Sequence, residues 1–156
     1  MIKIQNKSTK RIRVAQIVFF LIQLYLTSTP FIWGGAIIPE YEHSTFTVLD
    51  MISFIGATTD NAQTEKALSM LGFMFILFIL IPLIALGFQL FDRNYNLKNI
   101  VGLICSFAGV MLIVFFIGGA NICIGALLSL LLYLLTFFMS VMGIFARYLN
   151  QKNTAD

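Results

Sequence analysis

Apolar residues gather along the chain in four long runs, from Val14 to about Ile32, from about Leu68 to Leu90, from Ile100 to Ile117, and from Ile122 to about Ala146. Each approaches the roughly 20 residues that a helix needs to cross a bilayer core of about 30 Å. Within hydrocarbon the backbone must satisfy its own hydrogen bonds. The runs are too long and too little alternating for barrel strands, so each predicts a helix. The pattern therefore predicts a single all-α membrane domain over residues 1–156, a bundle of four transmembrane helices at about 14–32, 68–90, 100–117 and 122–146. A loop of about 35 residues, 33–67, separates the first two helices, and residues 147–156 form a tail.

The first run shares features with a signal peptide, since a basic segment (Lys3, Lys7, Lys10, Arg11, Arg13) precedes it and Gly34-Gly35-Ala36 follows. Its apolar stretch exceeds the usual 7 to 15 residues of such a peptide, and further membrane segments follow, so an uncleaved helix is expected.

Within the runs the polar and small residues are spaced as helix faces. Gly125, Ser129, Tyr133, Thr136, Ser140 and Gly143 recur at steps of three and four along the fourth run, which is one continuous stripe. Gly102 with Ser106 and Cys105 with Gly109 form two overlapping small-xxx-small pairs on the third, the pattern that lets membrane helices approach closely. Gln16, Gln23 and Thr27 share a stripe on the first. Packing between helices accounts for all of these. A polar lumen lined by Gln23, Ser129, Tyr133, Thr136 and Ser140 is the alternative. Pro82, inside the second run, predicts a bend, because it removes a backbone hydrogen bond and displaces the carbonyl of Phe78.

The loop carries its own periodicity. Residues 44–56 place Thr47, Asp50 and Ser53 at threefold spacing among apolar positions. That suits a short amphipathic helix with Ser44 or Thr45 as N-cap and Gly56 as its stop, lying on the bilayer or covering the bundle mouth. A strand over Phe46 to Leu49 competes with it, since Thr and Val favour strands. Further on, Asp60 and Gln63 stand at capping-box spacing, which starts the second helix before its apolar run.

Composition agrees with the pattern. The chain is 59% hydrophobic and 11% charged, against about 25% charged residues in soluble domains. The distribution of charge adds orientation. Nine of the ten basic residues lie in the N-terminal segment, the FDRNYNLKN hairpin and the tail, and the long loop holds only Lys66 beside five acids. The positive-inside rule then places both termini in the cytoplasm and the long loop outside, most simply in a plasma membrane. Trp33 and Tyr41 fall where an outer aromatic belt is expected, and Pro39 ends whatever helix continues past Gly34 and Gly35.

Candidate chemistry is sparse. No Asp, Glu, Lys, Arg or His falls in the middle of any run, whereas such residues are the usual marks of ion paths and proton relays. No CxxC, HExxH, GxSxG or phosphate-loop motif occurs. Cys105 lies about five residues inside the cytoplasmic end of the third helix and Cys123 at the outer start of the fourth, about 15 to 20 Å apart along the normal, too far for a disulfide. One outer constellation remains, Glu40, Glu42 and His43, whose carboxylates and imidazole suit metal binding or acid–base work if Asp50 and Asp60 fold near them. A solvated loop explains the same residues. Four spans with a large first outer loop is also the layout of claudin-like and tetraspanin-like proteins, but their loop cysteine and tryptophan signatures are missing and nothing is carried over from them.

The expectation that follows is a small protein without a catalytic motif, metal or cofactor. It acts through contacts with lipid, other membrane proteins or itself, as an accessory, assembly or immunity factor, and not with nucleic acid. A channel or carrier subunit for a neutral or apolar solute, lined by the fourth helix, is the second expectation. An enzyme using the outer acids and His43 is the third.

Overall fold

The computed structural model describes residues 2–34, 43–58, 62–91, 95–117 and 122–152. Along them run α1 (Ile2–Leu26), β1 (Ile32–Trp33), β2 (Thr45–Phe46), α2 (Val48–Ser53), α3 (Ala62–Phe91), α4 (Tyr95–Leu112) and α5 (Ile124–Lys152). A π-helical stretch, Ile113–Ile117, continues α4. Among the described residues three helices, Ala62–Phe91, Leu97–Phe115 and Ile124–Ala146, are long and apolar enough to cross a membrane. Polar and apolar side chains also depart from the distribution in a soluble protein. Phe115 is 77% exposed and Phe138 61%, whereas Gln16 and Gln89 are each 1% exposed and Thr136 and Ser140 are fully buried. Soluble monomers keep exposed apolar patches small, so these features together describe an all-α protein made for lipid surroundings.

α1 departs from the expected first span at both ends. It begins at Ile2, inside the basic segment, and stops at Leu26 instead of near Ile32. The early stop has a local cause. The hydroxyls of Thr27 and Thr29 donate to the carbonyls of Leu24 and Leu26, each at 2.7 Å. Pro30 has no N–H to extend the helix and disfavours helical backbone at Thr29.

The chain then becomes extended. β1 pairs antiparallel with β2, Ile32 opposite Phe46 and Trp33 opposite Thr45. The same segment holds the start of α5, because Gly125 N–H donates to the Pro30 carbonyl at 2.9 Å and Cys123 N–H to that of Phe31 at 3.2 Å. Gly125 is required there: a Cβ would run into Thr29 Oγ1 and the Pro30 carbonyl.

The loop helix exists but starts later than the sequence implies. Its N-cap is Thr47, in place of Ser44 or Thr45, and Thr47 and Asp50 form a reciprocal capping box. Ser44 to Phe46 are already committed to the ribbon, with Ser44 accepting from Gly34 N–H and Phe46 from Phe31 N–H, which moves the cap downstream. The strand reading of residues 46–49 meets the structure at Phe46 alone, because Val48 and Leu49 belong to α2. Gly56 supplies the stop with φ +81°.

α2 turns Asp50 and Ser53 outward and buries Val48 and Met51 completely. Its first amide, Val48 N–H, donates to the Thr27 carbonyl at 3.1 Å, so two helix ends satisfy each other's orphan groups. Val48 and Met51 join Phe31, Phe75, Phe78, Leu112, Ile113 and Ala126 in one apolar cluster. Phe31 meets Phe78 edge-on with centroids 5.1 Å apart. Gly72 permits the approach of α2 to α3, since its Cβ would stand 2.9 Å from the Met51 carbonyl oxygen. The ribbon and α2 therefore cap the end of the long helices formed by the N-terminal halves of α3 and α5. α3 itself continues through the buried Pro82.

Candidate functional site

α1 packs beside α3 and α5, and α4 packs beside the same two helices. At the end remote from the cap, polar residues from all four converge. Gln16 of α1 donates through Nε2 to Ser140 Oγ of α5 at 2.9 Å and accepts from Gln89 Nε2 of α3, also at 2.9 Å. Gln89 reaches the Lys98 carbonyl of α4 at 3.4 Å. Gly102 leaves the room for this meeting, because a Cβ there would lie 2.9 Å from Ser140 Oγ and 3.6 Å from Gln89 Nε2. At the mouth of the cluster Arg13 donates to the Gln89 and Leu90 carbonyls at 2.9 and 3.2 Å, engaging carbonyls at the C-terminal end of α3.

Every residue of the expected interior stripes lies inside. Gln23, Ser129, Tyr133, Thr136 and Ser140 are each at most 4% exposed. Gly102, Cys105, Ser106 and Gly109 are buried on α4. Gly109 lies under the ring of Tyr133, whose atoms would come within 2.5 to 2.6 Å of a Cβ. Among the described residues Gln23 Nε2 and Oε1, Ser106 Oγ and Asn99 Nδ2 are buried without a hydrogen-bond partner.

Three members of the cluster escaped the sequence reading. Gln89, Lys98 and Asn99 are at most 5% exposed, though they lie at or beyond the ends of the apolar runs. A signal for one was present: Asn99, Gly102, Ser106 and Gly109 follow each other at steps of three, four and three along one face of α4.

The outer constellation is not assembled by what is described. Glu40, Glu42 and Asp60 lie outside the described residues. His43 is exposed, and the Asp50 carboxylate is taken up by the Thr47 N–H and hydroxyl, both at 2.8 Å. Among the described residues no three His, Cys, Asp or Glu side chains are grouped as metal ligands. Cys105 and Cys123 are free thiols, both buried.

Chemically, the core is a set of amides and hydroxyls, with the buried Lys98 at its end. The described hydrogen bonds give Ser140 Oγ an amide donor, which does not activate a hydroxyl as a base would. Such a set is suited to fixing helix positions. Outside it, an apolar groove between α3 and α4 is lined by Leu77, Ile81, Ala108, Met111, Leu112 and Phe115. No protein-family model, curated protein or solved structure matches this chain.

Proposed function

We propose that this chain is a four-span membrane protein with both termini in the cytoplasm, acting as an accessory or assembly factor through contacts its outer surface makes with other membrane proteins or lipid. The observation that carries this reading is the closed state of the α5 polar face, where Ser129, Tyr133, Thr136 and Ser140 are 4%, 2%, 0% and 0% exposed. A face packed shut against α1 and α4 is glue between helices. The surface left for recognition is then the lipid-facing one.

The division of α1 supports its role as fourth span. Val14, Val18, Leu21, Ile22 and Tyr25 are exposed while Gln16, Phe20 and Gln23 are buried, the same partition that α3, α4 and α5 display. Its apolar length, Val14 to Leu26, covers about 20 Å, and the segment through Trp33 extends it. The charge distribution supports a cytoplasmic position for the Arg13 end. Extraction of native membranes in mild detergent tests the reading: a defined complex is expected, and a solitary monomer under several extraction conditions counts against it.

A second reading draws on the length of the polar stripe. From Gly125 to Gly143 it runs about 27 Å, close to the bilayer core thickness. A channel that opened along it would lose solute flux in liposomes on replacement of Thr136 and Ser140 by Leu. Unchanged flux removes that lining.

A further inference from the structure

Gln23 stands two turns beyond Gln16 on the same face of α1. Two contacts fix its height against the other helices. The Gln16–Ser140 bond sets α1 against antiparallel α5, so seven residues onward from Gln16 corresponds to seven back from Ser140, at Tyr133. The Tyr133 ring lies on Gly109, which sets α4. Ser106 is three residues below Gly109, about 4.5 Å lower along the axis. Helical side chains lean toward their own N-terminus, which tilts the Gln23 amide down toward the height of Ser106.

Both side chains are sealed, Gln23 at 2% and Ser106 at 0% exposure. Gln23 Nε2 and Oε1 and Ser106 Oγ nevertheless have no partner among the described residues. A buried amide left unpaired in a membrane interior is costly, and lipid offers it neither donor nor acceptor. The Thr136 hydroxyl, at the same height, spends its proton on the Leu132 carbonyl at 2.7 Å and keeps lone pairs to accept with.

We infer that the centre of the helix packing holds bound water bridging Gln23 of α1 to Ser106 of α4, across the diagonal that no direct side-chain bond spans at this height. Water is the ligand the chemistry selects. It donates and accepts, it needs two to four polar partners, and it is the smallest group that does both. Gln23 supplies two N–H donors and an acceptor, Ser106 supplies either, and residues 14–34, 68–91, 100–117 and 122–146 contain no Asp, Glu, Lys or Arg to hold an ion. The inference is independent of which partner the outer surface recognises.

The test uses the full chain in nanodiscs of deuterated lipid, with glutamine side chains labelled with nitrogen-15. Magnetisation transfer from water to the Gln23 Nε2 protons is expected as a cross-peak, identified by its loss in Gln23→Met. In Ser106→Ala the cross-peak should weaken or vanish while the Gln16 and Gln89 amide resonances stay in place, which reports an intact fold. Absence of any water cross-peak in the wild-type protein overturns the inference. So does a cross-peak unaffected by Ser106→Ala.

Discussion

Gln16 and Ser140, 124 positions apart in the chain, are joined by an amide-to-hydroxyl bond of 2.9 Å, and the same amide accepts from Gln89. One side chain thereby ties three helices. Interhelical polar contacts in membranes average about 0.6 kcal/mol and reach about 1.7, so Ser140→Ala should cost about 0.6 kcal/mol. Gln16→Leu should cost more, about 1 to 2 kcal/mol, because it removes the partner of both neighbours. Reversible unfolding in mixed micelles measures both. A double-mutant cycle of Gln16 and Gln89 should give a coupling near 0.6 kcal/mol.

Gly109 and Gly87 should respond oppositely to alanine. At Gly109 the new methyl would stand 2.5 Å from Tyr133 ring atoms, while at Gly87 nothing lies within 4 Å. Gly109→Ala is expected to destabilise by about 1 to 3 kcal/mol, and Tyr133→Leu in the same chain should recover part of the loss. Gly87→Ala should be neutral or stabilising by up to about 1 kcal/mol. The same unfolding assay ranks all three.

The cap over α3 depends on a six-residue helix that could not persist alone. Thr47→Ala removes half of its capping box and should cost about 1 kcal/mol. The effect should be local. Hydrogen exchange at Phe54 and Ile55, whose amides donate to Met51 and Ile52, should accelerate roughly fivefold, and the α4 and α5 amides should keep their protection.

The native thiols give a quiet background for mapping topology. Cys105 and Cys123 are buried, which keeps a water-borne reagent from reaching either thiol. Wild-type protein in intact cells should therefore resist a membrane-impermeant maleimide. Ser53→Cys, on the exposed face of α2, should label from outside and Lys10→Cys only after permeabilisation. The reverse pattern would invert the proposed orientation.

Much of this arrangement was legible in the sequence because helical periodicity is local. The stripe from Gly125 to Gly143 and the pair Gln16 and Gln23 needed only steps of three, four and seven to be assigned to interior faces. What was not legible depends on contacts between distant segments. Nothing near Ser44 announces that it will accept from Gly34 and so displace the helix cap to Thr47. The end of α1 at Leu26 was masked by apolar residues 31 and 32, which continue the hydrophobic run as a strand pairing with Phe46. Gln89 and Lys98 read as residues at the edge of the membrane, and only the close approach allowed by Gly102 encloses them.

The central claim is that the interior polar face is sealed packing and that the lipid-facing surface carries the function. Photoreactive benzoylphenylalanine placed at Phe115, Phe138 and, as an interior control, Tyr133, followed by irradiation of native membranes, tests it most directly. The account predicts a discrete protein adduct, to a partner or to a second copy, from at least one of the two exposed positions and none from Tyr133. A discrete protein adduct from Tyr133, with none from either exposed position, would contradict it.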